Sequence, residues 1–238
     1  MTAVNLIAKR RQILLETERL ILRRYEREDL DRLDRLNSDT DVMRYIGDGS
    51  LRTRDQTKAG IVRTQRIYDL YPGLGFWIGE EQATRKFVGV FALIYIPKTV
   101  EVEVGYRLRK PAWGRGFATE GARALVRYGM FELGLDRVVG LTHAENDPSK
   151  RVLMKAGLKP RGMGHYYDRD LCYFVAERSR FLSRASATWA PDAQSTPNQI
   201  VRRHFRGGRG DPDPCMENPA DPDGNCGEAP PVSSARES

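Results

Sequence analysis

The sequence predicts an α/β fold of the α+β kind, a mixed and mostly antiparallel sheet with helices on its faces. Three observations lead there. The periodic segments run β α α β β β and then α β α β β. The turns Gln82-Ala83-Thr84 and Pro97-Lys98-Thr99 are short enough to join antiparallel neighbours in a meander. From Pro111 onward the chain passes from a strand straight into a helix through a loop carrying Gly114 and Gly116.

Each element follows from its residues. Residues 1–14 read as a leader. Leu20 and Leu22 alternate within 17–24 as in a half-buried strand. Leu30, Leu33 and Leu36 have helical spacing within 26–37. A second helix is expected over 53–70, where Thr53 and Gln56 have capping-box spacing and Pro72-Gly73 stops it. Phe76-Trp77-Ile78, residues 86–96 and residues 100–108 are strands. On the last of these Val102, Val104 and Tyr106 share one face, and Glu101, Glu103 and Gly105 the other. Residues 117–133 form a helix with Ala118, Ala122, Leu125, Val126 and Met130 inward, closed by Gly134. A short strand centred on Val138-Val139 follows, then a helix over 146–156 closed by Gly157, then a hairpin within 158–177.

The chain has 238 residues, 40% of them hydrophobic, and a net charge of +7. That apolar share supplies one sizeable core, placed in a domain over 15–183. From Arg184 onward six Arg face eight Asp and Glu, so the tail carries −2 and the rest +9. Eight of the 13 prolines lie in this tail with four Leu, Ile, Val or Phe, too little apolar surface to offset chain entropy, so 184–238 is expected to be disordered. The basic domain favours anionic partners. It lacks a basic recognition helix or a stacking platform, so nucleic acid is an unlikely partner. Uncharged runs fall short of the ~18 residues that span a bilayer, and Val4 to Ala8 with Lys9-Arg10-Arg11 behind it is no secretory signal. Three cysteines, Cys172, Cys215 and Cys226, make a poor disulfide framework, and a cytoplasmic location is expected. Membrane partners are not expected, and no His/Cys cluster suggests a metal.

The glycine loop carries the most chemistry. Glycines let the main chain approach a ligand, and the following helix aims its unpaired N–H groups and positive dipole end at the same point. This suits a phosphate, with Arg107, Arg109, Lys110 and Arg115 adding charge. Thr119 stands where a dinucleotide fingerprint needs its third glycine, and the Gly-Lys-Ser/Thr of a Walker loop is absent.

The stretch Trp113-Gly-Arg-Gly-Phe-Ala-Thr-Glu120 resembles the acyl-CoA pyrophosphate loop of the GNAT N-acetyltransferase superfamily. Gly116 and Ala118 match the last two anchors of its pattern and Trp113 stands at the first. An aromatic there is typical of the RimJ/RimL-type branch of ribosomal-protein N-terminal acetyltransferases. Thr17-Glu-Arg-Leu-Ile-Leu-Arg23, Glu103-Val-Gly-Tyr106 and Asn146-Asp-Pro-Ser-Lys-Arg-Val-Leu-Met-Lys-Ala-Gly157 resemble three further segments of that branch.

The resemblance implies a GNAT fold of about six to seven strands with a splayed central pair and about four helices. It implies acetyl-CoA as co-substrate and a primary amine as acceptor, a small molecule or a protein N-terminus, handled by a monomer or homodimer. Trp113, Gly114, Arg115, Gly116, Phe117, Ala118 and Thr119 would form the pyrophosphate loop. Tyr106, Arg107 and Leu108 would pair with the pantetheine arm, Asn146 would hydrogen-bond it, and Arg151 would lie near the ribose phosphate. Glu103 is the expected general base and Ser149 the expected acid toward the leaving thiolate. Tyr166 and Tyr167 are weaker candidates for that acid, which aromatic packing explains more often than catalysis does, and His143 and Cys172 are expected to be structural. Asp39, Asp41, Asp48 and Asp55 either attract a cationic amine or serve caps and turns. An acyl-CoA-binding sensor without turnover is the alternative.

Overall fold

The structure is a computed structural model that describes residues 12–185. The expected leader up to residue 11, the tail from residue 186, and Cys215 and Cys226 lie outside the described residues. The elements are β1 (Ile13–Glu16), β2 (Leu20–Arg23), a 3-10 turn (Arg27–Asp29), α1 (Leu30–Asn37), α2 (Thr40–Met43), α3 (Arg54–Leu70), β3 (Gly75–Glu81), β4 (Phe87–Tyr95), β5 (Val102–Leu108), a second 3-10 turn (Lys110–Ala112), α4 (Phe117–Phe131), β6 (Arg137–Thr142), α5 (Asp147–Ala156), β7 (Lys159–Tyr166), β8 (Arg169–Glu177) and α6 (Arg178–Ala185).

The eight strands form one sheet in the order β1-β2-β3-β4-β5-β6-β8-β7. Neighbours run antiparallel except β5 and β6, which are parallel and share one register pair, Glu103↔Val139. β5 continues to Leu108 along β4, and β6 continues to Thr142 along β8. Past residue 103, then, β5 and β6 diverge and the sheet is split.

Alternation along the strands decides what each face holds. Val102, Val104 and Leu108 face the larger core with Phe91 and Leu93 of β4 and with Ala122, Leu125 and Val126 of α4. Ile78 and Val90 face the opposite side, where Leu33 and Leu36 of α1 and Ile61 of α3 cover them. α4 lies close against β4 because Gly121 has no side chain: a Cβ there would sit 2.2 Å from Phe91 Cε1. The Thr53–Gln56 capping box forms as its spacing predicts, Gln56 N–H donating to Thr53 Oγ1 at 3.2 Å and Thr53 N–H to Gln56 Oε1 at 2.8 Å.

One charged cluster is built into the α1/α3 side. Arg23 is fully buried and donates to both oxygens of Asp29 at 2.7 Å and to Glu80 Oε1 at 2.9 and 3.0 Å. Burial alone would lower its pKa, yet these carboxylates raise it. Alignment of β2, the first 3-10 turn and β3 is thereby tied to one guanidinium.

Among the described residues the sheet has eight strands where about six to seven were expected, and there are six helices where about four were expected. The added elements are short. β1 has four residues and begins inside the stretch read as a leader, α2 has four residues, and α6 extends two residues past position 183. β1 and α6 lie at the edges of the stretches read as leader and tail, and α2 is a single turn, too short for a helical period to register.

Candidate active site

A cavity of about 840 Å³ occupies the split between β5 and β6 and is lined by helices from both faces of the sheet. Its walls include Glu103 to Leu108 on β5, Leu141 to His143 at the end of β6, the start of α4, α5, and the inner face of α3.

One lip is the glycine loop. Gly114 and Gly116 have φ of 71° and 84°, and Gly116 is the residue capping the N-terminus of α4. Only glycine adopts this left-handed backbone without cost; another residue loses about 1–2 kcal/mol there. The first helical bond of α4 runs from Glu120 N–H to Gly116 O at 3.1 Å. The N–H groups of Phe117, Ala118 and Thr119 thus have no helical acceptor and make a main-chain anion cradle. Glu120 fixes this turn to β1 and β2. Its carboxylate accepts from Thr17 Oγ1 at 2.6 Å, Arg19 N–H at 2.9 Å and Arg19 Nε at 2.7 Å. Burial alone would raise its pKa, but these donors outweigh burial and hold it below 4.5.

Of the expected site residues, all but Arg115 and Phe117 line the cavity. Phe117 is a core residue, 1% exposed, so the loop offers only its main chain. Arg115 turns away, pairing with Glu81 and stacking 4.7 Å from the Phe117 ring. The charge expected around the loop is likewise drawn off elsewhere: Lys110 pairs with Asp41, and Arg109 donates to Phe87 O at 3.4 Å. Arg151 lines the cavity from α5, whereas Lys150 pairs with Asp147 at 2.8 Å.

Across the split, Tyr106 reaches α5. Its hydroxyl donates to Ser149 O at 3.1 Å and shares a hydrogen bond with Ser149 Oγ at 3.0 Å. Asn146 caps α5, its Oδ1 accepting from Ser149 N–H at 3.2 Å. Burial raises the Tyr106 pKa, so the phenol keeps its proton at neutral pH.

Glu103 stands at the last rung before the strands part. It is half-buried and lines the cavity. Burial pushes its carboxyl up from 4.5 to about 7, against the opposing hydrogen bonds of Tyr167 and the Leu141 backbone. Tyr167 Oη donates to Glu103 Oε2 at 2.7 Å. Tyr167 was a weaker candidate for the acid, with aromatic packing the commoner explanation. It occupies the β7–β8 turn with φ of 53°, next to Asp168 at 55°. Two successive left-handed residues are what a two-residue hairpin turn needs. Tyr-Asp lacks the Asn-Gly signature of such a turn, so no sequence signal aimed this phenol at the site. Tyr166 does pack, stacked on Tyr173 with ring centroids 5.5 Å apart. His143 lines the cavity 5.7 Å from the Tyr45 ring, and half-buried Cys172 places its sulfur 3.5 Å from Met163 Sδ.

The acidic residues considered for amine attraction are occupied as caps, turns and pairs. Asp39 accepts from Asp41 and Val42 N–H, Asp41 holds Lys110, Asp48 accepts from Ser50 N–H at 2.9 Å, and Asp55 sits in the first turn of α3. On the α1/α3 side the cavity is instead lined by Arg52, Arg63 and Arg107. Arg52 lies in a segment without periodicity, where nothing in the sequence singles it out.

The sheet is thus split at its parallel pair, with a main-chain anion cradle at one lip and a carboxyl of raised pKa within. Residues 19–159 match the family model described as acetyltransferase (GNAT) domain, more than half of the chain, and the chain belongs to the GNAT acetyltransferase family. It is 30% identical over 155 residues to the N-acetyltransferase YoaA of Bacillus subtilis, across 65% of this chain and 87% of that protein. It is 33% identical over 155 residues to the FsC-acetyl coenzyme A-N(2)-transacetylase of Aspergillus fumigatus, across 62% of this chain and 65% of that protein's length. The fold is shared with RimL, a ribosomal alpha-N-protein acetyltransferase solved in complex with coenzyme A, at a TM-score of 0.60 and 16% identity over 70% of this chain and 98% of that one. Among the described residues no helix is long and apolar enough to cross a membrane.

Proposed function

We propose that this enzyme transfers the acetyl group of acetyl-CoA to a primary amine by direct attack in a ternary complex. One observation carries the reading: a single cavity joins the main-chain cradle of α4 to Glu103 through the split in the sheet. Acetyl-CoA is the co-substrate that family membership supports. Its pyrophosphate suits the N–H groups of 117–119 and the glycines before them. Its pantetheine arm suits the unpaired edge of β5 at Tyr106 to Leu108, with Trp113 and Asn146 beside it and Arg151 toward the ribose phosphate.

The chemistry then follows from placement. An ammonium of reference pKa ~8 to ~10.4 must lose a proton before it attacks. Glu103, with its pKa near neutrality, takes that proton directly or through water. Nitrogen bonds to the thioester carbonyl carbon, and a main-chain N–H at Tyr106 or Arg107 steadies the developing oxyanion. The carbon–sulfur bond breaks, and the Ser149–Tyr106 hydroxyl pair supplies the proton to the leaving sulfur. The nitrogen gives up its second proton, which restores the hydroxyl pair through solvent, and Glu103 releases the first to solvent, leaving an acetamide, free coenzyme thiol and one net proton. The RimL likeness supports a protein N-terminus as one acceptor class, and small amines form the other.

Thiol release over a panel of peptides and small amines tests this. Glu103→Gln should lower kcat/KM roughly 10²- to 10⁴-fold, the usual weight of a general base, while calorimetry finds coenzyme affinity unchanged. Coenzyme binding with no turnover of any acceptor would instead favour a sensor.

A further inference from the structure

We propose that the acceptor carries an anionic group as well as its amine, and that Arg107 holds that group. The inference rests on the transferase reading and names the substrate class of the same site.

Arg107 and Glu103 are four residues apart on β5 and share a face by strand alternation, with Cα atoms about 13 Å apart at ~3.3 Å per residue. Register agrees, since Arg107 lies opposite Val90 on the α1/α3 side. Arg107 thus points to the acceptor side, although its main chain belongs to the edge offered to coenzyme. The guanidinium lines the cavity, and its Nε is buried without a hydrogen-bond partner. Its Nη1 meets a weak acceptor, Met43 Sδ at 3.9 Å, and the Tyr25 side chain hydrogen-bonds the guanidinium, which leaves Nε as the unmatched donor. Among the described residues no carboxylate pairs with Arg107. An unmatched guanidinium N–H in a dry wall is costly, and it fits the planar fork of a carboxylate or the oxygens of a phosphate.

The surroundings agree. Arg52 lines the same wall, and burial with the nearby Arg107 and Arg63 charges holds its pKa down at about 10. An anion between them would relieve that repulsion. Asp41 also lines the cavity but is neutralised by Lys110. A polycation would have its second charge placed against Arg107 and Arg52.

The test uses the full chain with acetyl-CoA and matched acceptors: ω-amino acids of two to six carbons, the corresponding alkylamines and diamines, and phosphoethanolamine against ethanolamine. The last pair separates phosphate from carboxylate as the preferred anion. We expect kcat/KM at least tenfold higher for the anionic member of the best pair, with the difference mainly in KM. Arg107→Gln should bring that ratio to near one, and Arg107→Lys should keep part of it. Equal or better turnover of the alkylamines or diamines by the wild type overturns the proposal and leaves the transferase standing. A ratio unchanged in Arg107→Gln, checked as folded by circular dichroism, also overturns it. If no acceptor turns over, calorimetric titration of the CoA-loaded wild type with the same pairs decides. A tenfold affinity preference for the anionic member upholds the anion site while the transferase reading falls, and no preference removes both.

Discussion

Burial moves the proton equilibrium of Glu103 toward neutrality, the range the proposed base role calls for, and the Tyr167 hydrogen bond opposes that shift. The rate should rise with pH through about 7 as Glu103 ionises. The Tyr167 hydrogen bond favours the charged form, so Tyr167→Phe lifts the pKa and moves that limb to higher pH. We expect a roughly two- to tenfold loss of kcat/KM at pH 7 that closes near pH 9, measured as a full pH profile. Stability has the opposite sign. With a folded pKa raised above 4.5, the native state binds more protons than the unfolded chain between 4.5 and about 7. Stability therefore falls as pH rises through that window. Glu103→Gln does not titrate, so its Tm at pH 8 should exceed that of the wild type, a check by calorimetry that is independent of activity. Glu103 was legible in the sequence because strand alternation fixed its face. Tyr167 was not, because a hairpin turn without glycine or asparagine gives no sign of where it points.

Helix α4 contributes two separable things, a cradle at its first turn and a close seat on β4. Adding a methyl group at Gly121 forces it against the fully buried Phe91 ring. Gly121→Ala should cost about 1–3 kcal/mol by overpacking, read in urea, and Phe91→Leu in the same chain should recover part of it. The glycine loop, the Thr53–Gln56 box and the inward face of α4 were all legible, since each is a local pattern repeated within a few residues. The seat of Arg115 was not. Its partner Glu81 lies 34 positions away, and long-range ion pairs leave no periodic trace. The burial of the Phe117 side chain was not legible either, because the motif cannot tell a residue that offers only its main chain to the cavity from one whose side chain faces it.

The molecule as a whole is two half-sheets, β1 to β5 and β6 to β8, with the cavity filling the space where ladder hydrogen bonds stop. A ligand that bridges both lips stabilises only the assembled state. Acetyl-CoA at about 100 times its Kd should add about 2.7 kcal/mol. For a chain of this size that is roughly 5–10 °C in Tm, seen by differential scanning calorimetry. The number and order of helices and strands followed from the sequence apart from the shortest elements, and so did the mixed character of the sheet. The basic acceptor wall did not. Arg52, Arg63 and Arg107 come from a loop, a helix and a strand, and tertiary packing alone assembles them.

The lone ladder pair of Glu103 with Val139 joins cohesion to chemistry. The rung that fastens one half to the other also carries the carboxyl proposed as the proton acceptor. A slip of one residue along that seam would turn the carboxyl to the opposite face while parting the halves. Substitutions around Val139 should therefore be felt twice, in thermal resistance and in turnover, and selection acting on either property would guard the other.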